Sequence, residues 1–199
     1  MIYYTSDLHL GHKNIIKYEN RPFKDIFDMT EGLIQRWNAK VKPSDIVYHL
    51  GDFAFKNAYM NIDKILDIYS KLNGKKALLI GNHDLDWINK DIVRNSLEIR
   101  PEHYMEIEDN GRIVVLCHYP IEDWDGKFHG SYHVHGHDHS QDLIQHIPKR
   151  YNCGVDVRNY EPVTLDEMIK SKTTLPGLST LENGNTNTKI KVGIFYDLS

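Results

Sequence analysis

The sequence is poor in cysteine and contains neither an excess of basic residues nor a long apolar run. Cys117 and Cys153 are its only cysteines, too few for a disulfide framework, and Cys117 ends an apolar run where a small buried side chain is expected. No segment approaches the roughly 20 apolar residues of a membrane span. The first residues also lack the basic and apolar regions of a signal peptide. These absences indicate a cytoplasmic protein that does not use a membrane.

The charge balance argues against a long nucleic acid as partner. The 199 residues contain 24 Lys plus Arg and 28 Asp plus Glu, which gives a net charge of −4 and a pI near 6.3. Proteins that follow a long duplex usually carry a basic face and a high pI. Small phosphorylated or nucleotide-like molecules remain compatible, because bound cations change the sign of the local field. A short strand could still dock where basic residues cluster early in the chain, at Lys13, Lys17, Arg21 and Lys24.

Alternating strands and helices predict an α/β fold, a layered sandwich of mixed β-sheets flanked by helices. Apolar residues recur at helical spacing in 29–41 and 62–72, and Thr164 with Glu167 forms a capping box for a helix over 164–169. Asp109-Asn110-Gly111 predicts a hairpin. Strands are predicted over 2–5, 46–50, 77–80, 104–108, 112–117, 132–135 and 152–157.

The chain is predicted to form one domain over 1–172, followed over 173–199 by a polar linker and a further strand. This segment contains a polar stretch rich in Gly, Asn and Thr over 176–188, which is typical of a linker. Residues 190–195 predict a further strand that packs on the same domain.

Ligand-type side chains follow several of the predicted strands. Ligands of open α/β sheets bind at the carboxyl ends of the strands, so we expect these side chains to meet at one edge. Gly11 and Gly136 are expected to ease the turns there. The clusters are Asp7-Leu8-His9, Gly51-Asp52, Gly81-Asn82-His83-Asp84, His118 and Gly136-His137-Asp138-His139.

The chemistry of this set suggests more than one metal ion. Carboxylate, imidazole and amide oxygen suit Mn²⁺, Fe or Zn²⁺ better than a soft thiolate-seeking metal. The set is too large for one four-coordinate zinc and suits two metals that share a carboxylate. Asp52 is the expected bridge, because it stands alone behind a glycine in the middle of the set.

The order and spacing of these clusters resemble the calcineurin-like metallophosphoesterase superfamily, and in particular its small, cap-less bacterial and phage-like members. The matching blocks read D-x-H, G-D, G-N-H-D, H and G-H-x-H, and the resemblance spans residues 1 to about 170. It implies a first metal held by Asp7, His9 and His139, and a second held by Asn82, His118 and His137, with Asp52 bridging both. It also implies that His83 is the catalytic histidine, which contacts the substrate phosphate, and that Asp84 orients it.

The implied activity is phosphoester hydrolysis by a metal-bridging hydroxide that attacks phosphorus in line with the leaving oxygen. His83 would stabilise the phosphoryl oxygens and protonate the leaving group. Two divalent metal ions are expected as cofactors, with Mn the first choice and Fe, Zn or Ni as alternatives. A phosphodiester is favoured over a phosphomonoester, because an open site leaves room for a second ester arm. The competing hypotheses are a non-catalytic binding scaffold on the same fold and a nuclease that acts on short single strands.

Several residues are left with more than one interpretation. His12 and Asn14 are candidates for substrate contact, with capping of the following helix as the alternative. Asp156, in the block Asn152-Cys153-Gly154-Val155-Asp156, either supports the metal site from behind or belongs to an ordinary strand. Trp124 and Phe128 could stack on a base or sugar, or pack within their loop. The surface or satisfied-core interpretation is preferred for His49, His103, His129 and His146, while His133 and His135 are expected to share one face of a strand.

Overall fold

The computed structural model describes residues 1–55, 57, 60–100, 103–139 and 147–173. The predicted linker over 176–188, the predicted strand over 190–195 and His146 lie outside these residues. The described residues form two four-stranded sheets flanked by helices. The predicted fold class, a layered α/β sandwich, is confirmed, with one parallel sheet and one mixed sheet.

The first sheet is parallel throughout, with the order β1-β2-β3-β4. Its strands are rich in β-branched and apolar residues, and the inner positions are buried, as is typical of a parallel sheet covered on both faces. The strands are β1 (Ile2–Thr5), β2 (Ile46–His49), β3 (Lys75–Leu79) and β4 (Ile99–Arg100).

The second sheet is mixed, with the order β5-β6-β7-β8. Its first two strands form the predicted hairpin, in which Asn110 (φ 51°) and Gly111 (φ 77°) both adopt the left-handed backbone of a two-residue turn. The other neighbours are parallel. The strands are β5 (Tyr104–Asp109), β6 (Arg112–Cys117), β7 (Tyr132–His135) and β8 (Arg150–Asn152).

Helices connect the strands of the first sheet and cover its outer face. The second helix begins where the Asp25 carboxylate accepts the N–H groups of Phe27 and Asp28, and the last helix begins at the predicted capping box of Thr164 and Glu167. None of the described helices is both long and apolar enough to cross a membrane. The helices are α1 (Ile15–Tyr18), α2 (Ile26–Lys40), α3 (Ile62–Lys71), α4 (Leu85–Ile88), α5 (Asp91–Ser96) and α6 (Leu165–Thr173).

The buried side chains form two cores, one on each face of the first sheet. The outer core joins the sheet to the helices and includes Met29, Leu33 and Trp37 of α2. The inner core fills the space between the two sheets and α6, where Cys153 is buried. Cys117 is also buried, and both cysteines are free thiols. This arrangement leaves the carboxyl ends of β1, β2, β3, β6 and β7 along one edge of the sandwich.

The predicted strand over 152–157 is wrong in its extent. The strand is Arg150–Asn152, and the chain then forms a bridge to Ser6 at Gly154 and a 3₁₀ turn over Val155–Val157. The reason is local, because the Asn152 side chain accepts the N–H of Gly154 at 2.7 Å and turns the backbone away from the sheet.

Candidate metal centre

Every residue predicted as a metal ligand lies on a loop that follows a strand at this edge. Asp7, His9, Asp52 and His118 are at most 2% exposed. His139 is partly buried, whereas Asn82 and His137 face solvent. The centre is therefore buried at most of its ligand side chains and open to solvent at Asn82 and His137.

Asp7, His9 and His139 have ligand atoms within 4.8 Å of one another, and so have Asp52, His118 and His137. We call Asp7, His9 and His139 the first ligand group; its His9 Nε2 and His139 Nε2 atoms are 3.2 Å apart. We call Asn82, His118 and His137 the second ligand group, in which His118 Nε2 is 3.0 Å from Asn82 Oδ1. The Asp52 carboxylate lies between the groups, with Oδ2 3.6 Å from His9 Nε2 and 3.5 Å from His118 Nε2.

The backbone at four of these positions is left-handed, a conformation that non-glycine residues rarely adopt. The φ angles are 61° at Asp7, 50° at His9, 57° at Asp52 and 69° at His137. Such a conformation costs of the order of 1–3 kcal/mol per residue and persists where the surroundings hold it, commonly at functional sites. The strained residues are also residues whose side chains converge. This indicates that the loops hold the strained backbone in order to bring these side chains together.

Two glycines let the backbone approach the central carboxylates. A Cβ at Gly81 would lie 2.2 Å from Asp52 Oδ1, and a Cβ at Gly136 would lie 2.5 Å from Asp7 Oδ2. Gly11 has the expected turn conformation (φ 84°), but Gly136 does not have a positive φ. The expectation that Gly136 eases a turn is therefore wrong, and this glycine instead makes room for Asp7.

Burial and neighbouring charges shift the pKa values of the candidate ligands. Burial raises the pKa of Asp7 and holds that of His9 well below its usual value. Burial also opposes ionisation of Asp52, but its hydrogen bond and charge interaction with His118 outweigh this and hold its pKa below the ordinary range. Buried carboxylates that face imidazole nitrogens form a donor set that fits a divalent cation.

Hydrogen bonds to the far side of two histidines orient the rings towards the centre. His118 Nδ1 lies 2.8 Å from the Leu50 carbonyl, and His139 Nδ1 lies 2.7 Å from Asp156 Oδ2. A carbonyl or carboxylate partner requires Nδ1 to carry the proton, so Nε2 is the nitrogen of each ring that can bind a cation once its own proton is lost. These contacts further support the fit of the site to a cation.

Sequence reasoning missed Arg21, which is buried directly behind the first ligand group. The sequence places Arg21 in a basic cluster where a short strand could dock, yet its side chain is 0% exposed and bonded to Asp156. A docking role for Arg21 is therefore excluded by its burial. The motif containing Asp156 was a signal for such a contact, but nothing in the sequence identified its partner.

The expected contact of Asp84 with His83 is not made. The Asp84 carboxylate is fully buried and accepts the main-chain N–H groups of Asp52, Phe53 and Gly81 at 2.7, 3.0 and 2.9 Å. Asp84 stands at the start of α4, where its side chain turns inward to the loop that carries Asp52. The prediction that Asp84 orients His83 is therefore wrong, and Asp84 instead holds the backbone at Asp52.

His83 and His12 lie beside the first ligand group. The His83 ring centroid is 5.1 Å from that of His9, and His83 Nδ1 or Nε2 lies within 4.8 Å of ligand atoms of His9 and Asp52. The His12 ring stacks on Phe55 at 4.5 Å and lies 6.1 Å from His83. Asn14 is exposed at the start of α1 and its side chain makes no capping bond, so the structure brings His12, but not Asn14, to the centre.

The other singled-out residues divide between core and surface. Trp124 is buried and donates to Ser131 Oγ, so it is not available for stacking, whereas Phe128 is 85% exposed. His133 and His135 are buried on one face of β7, as expected. His103 and His129 are exposed. His49 is buried, but neither of its ring nitrogens has a hydrogen-bond partner among the described residues, so the satisfied-core interpretation of His49 is wrong.

The fold and the site together define an α/β sandwich with clusters of metal-binding histidine and aspartate at one edge. No family model matches the sequence. The uncharacterized protein MJ1445 of Methanocaldococcus jannaschii is 38% identical over 175 residues, which cover 85% of this chain and 89% of that protein. The chain belongs to the same family as this archaeal protein.

Further similarities are found at lower sequence identity. The gene 66 protein of Mycobacterium phage L5 is 28% identical over 180 residues, covering 77% of this chain and 86% of the phage protein. The structure of AQ665 from Aquifex aeolicus, a protein of unknown function, is similar with a TM-score of 0.67 and 27% identity, over 86% of this chain and 98% of that one. Yfce, a phosphoesterase from E. coli, gives a TM-score of only 0.38 at 12% identity, which is too weak to bear on function.

Proposed function

We propose that the protein is a phosphoester hydrolase with two divalent metal ions, as in the calcineurin-like metallophosphoesterases that its motifs resemble. The observation that carries the proposal is the position of Asp52, whose carboxylate contributes to a group with His9 and to another with His118 and His137. A carboxylate shared between two donor groups is the arrangement that a pair of cations requires.

The proposed ligands follow the two groups. Asp7, His9 and His139 would hold one cation, Asn82, His118 and His137 the other, and Asp52 would bind both. When bound, the cations supply a Lewis acid for the phosphoryl oxygens and a water of lowered pKa. Mn²⁺ is the proposed ion, with Fe, Zn²⁺ or Ni²⁺ as alternatives, because the donors are nitrogen and oxygen without thiolate.

His83 is the proposed proton donor to the leaving oxygen. Its side chain makes no hydrogen bond with any described residue, and it is partly exposed beside His9. It is therefore free to contact a substrate oxygen, which a ligand histidine is not. Its main-chain N–H is fixed by Asp52 Oδ1 at 2.9 Å, so the position of the ring follows the position of the shared carboxylate.

The proposed substrate is a small or nucleotide-like phosphodiester. The second ligand group is open to solvent at Asn82 and His137, and half-exposed Tyr119 lies 4.7 Å from the His137 ring. An open side beside an aromatic ring leaves space for two ester arms. The net charge of −4 and the buried state of Arg21 make a long strand a poor partner.

Paired substrates test the activity directly. The purified protein, loaded with Mn²⁺, is assayed with bis(4-nitrophenyl) phosphate and 4-nitrophenyl phosphate, with Asp52→Asn as the inactive control and exposed Asp86→Asn as the matched control. The expected result is faster release from the diester, abolished in Asp52→Asn only. Turnover of the monoester alone would overturn the diester preference, and cleavage of long single strands in preference to dinucleotides would favour the nuclease. Metal binding without turnover across a broad phosphoester panel would favour a binding scaffold.

A further inference from the structure

The buried ion pair of Arg21 and Asp156 lies behind the first ligand group and contacts it from two directions. Arg21 Nε and Nη2 donate to the two Asp156 carboxylate oxygens at 2.8 and 2.7 Å. Asp156 Oδ2 also accepts from His139 Nδ1 at 2.7 Å. The carboxylate therefore joins the guanidinium to a candidate ligand.

The other edge of the guanidinium holds the loop that carries the remaining ligands of this group. Nη2 donates to the Asp7 carbonyl at 2.8 Å and Nη1 donates to the Leu8 carbonyl at 2.9 Å. These two carbonyls lie between the left-handed residues Asp7 and His9, the strained part of the loop. Hydrogen bonds from a charged donor contribute more than neutral ones, so Arg21 is well placed to hold this conformation.

We infer that Arg21 and Asp156 are positioning residues that set the geometry of the first ligand group and leave the second group unaffected. This inference rests on the proposed function, since it specifies how one of the two proposed cation sites is built. The planar guanidinium fixes the Asp7–His9 loop with one edge and, through Asp156, the His139 ring with the other. His9 and His139 lie 130 positions apart in the sequence, and the pair of Arg21 and Asp156 contacts both segments.

The second ligand group is supported differently. His118 donates to the main-chain carbonyl of Leu50, a contact that does not involve Arg21 or Asp156. Asp52 is shared by both groups and is held by Asp84, and the Asp7 carboxylate accepts the main-chain N–H of His137. Arg21 and Asp156 themselves contact only ligands of the first group and the loop that carries them, so disturbing this pair should act on the cation of the first group. A residue that only stabilised the fold would instead affect the binding of both cations, together with the stability of the protein.

The test is a Mn²⁺ titration of metal-free protein by calorimetry, with electron paramagnetic resonance to count coupled and isolated ions. The variants are Asp156→Asn, which keeps the shape of the side chain, and Arg21→Lys, which keeps the charge but loses the planar guanidinium and its several N–H donors. Arg36→Lys is the matched control, because Arg36 donates to the Gly32 carbonyl within α2. Urea unfolding of each metal-free variant shows whether the fold is retained.

Asp156→Asn and Arg21→Lys should each weaken one equivalent of Mn²⁺ by roughly 10–100-fold, the usual effect of removing such a support, while the other equivalent and the control stay at wild-type affinity. The double variant should be no weaker than the worse single variant, because both residues act through one assembly. Equal weakening of both equivalents, or none in a folded variant, would overturn the inference. A wild-type protein that binds no Mn²⁺ would overturn the proposed function itself, so the two failures are distinguishable.

Discussion

The carboxylate of Asp84 accepts the main-chain N–H of Asp52 at 2.7 Å, and this contact links the start of α4 to the residue shared by both ligand groups. Asp84 is fully buried and also holds Gly81 and Phe53. An acidic residue next to the proposed catalytic histidine thus serves the backbone of a ligand.

Asp84→Asn should lower metal content and stability together. The amide has one acceptor oxygen in place of a carboxylate, and each buried N–H that loses its acceptor costs about 1–3 kcal/mol. Urea unfolding and metal analysis of the variant check this, with exposed Asp86→Asn in the same helix as control. A variant that keeps both cations and its stability but loses turnover would return Asp84 to the role of orienting His83.

His83→Ala should retain both cations and lose turnover by roughly 10²–10⁴-fold, the usual contribution of a positioned acid or base. His118→Ala should instead lose cation, because its ring is aimed at the centre by the Leu50 carbonyl. Metal stoichiometry measured beside turnover separates the two. His83 lies within 4.8 Å of His9 and Asp52 ligand atoms, so metal loss in His83→Ala equal to that in His118→Ala would show that it is a ligand.

Gly136→Ala should disrupt the first ligand group through a steric clash. The new methyl would lie 2.0 Å from Ser6 Oγ and 2.5 Å from Asp7 Oδ2, both buried. Loss of Mn²⁺ binding and of activity is expected. Gly111→Ala is the control, because its φ of 77° carries the backbone strain while no atom of the described residues lies within 4 Å of the added Cβ; it should cost roughly 1–2 kcal/mol of stability and leave metal binding intact.

Metal-free protein should lose stability as the pH falls below about 6.5, in part through His49. Burial lowers the pKa of His49 to about 3, so the unfolded chain takes up a proton that the folded chain does not. The stability present above the unfolded pKa is therefore lost as pH falls towards the folded one, by about 2 kcal/mol between pH 7 and pH 5 for one such histidine. Burial likewise lowers the pKa of His133, to about 4, which adds to the slope.

His49→Phe should remove its share of this slope. Urea unfolding in chelator at pH 8, 7, 6 and 5 measures the effect, and the wild type and variant should run parallel between pH 8 and pH 7. An unchanged difference between the two proteins from pH 7 to pH 5 would show that His49 is protonated in the fold.

The sequence predicted the α/β sandwich and the edge at which the ligand-type residues meet, because both depend on local patterns. Asp7, Asp52 and His118 each follow a short apolar strand, and parallel strands align their carboxyl ends. The pair of Arg21 and Asp156 could not be predicted in this way, since the residues are 135 positions apart and a buried arginine has no sequence pattern that distinguishes it from an exposed one. The role of Asp84 was missed because a side chain can turn towards main-chain donors that no motif records.

The two ligand groups lie across the junction between the two sheets. Asp7, Asp52 and Asn82 follow strands of the parallel sheet, whereas His118, His137 and His139 follow strands of the mixed sheet. An ion bound by residues of both sets would link one sheet to the other at the edge of the sandwich. The melting temperature would then depend on the free concentration of that ion, since binding to the folded state alone adds RT ln(1 + [L]/Kd) to the free energy of unfolding. In a cell, the supply of metal would set the lifetime of the protein as well as its activity.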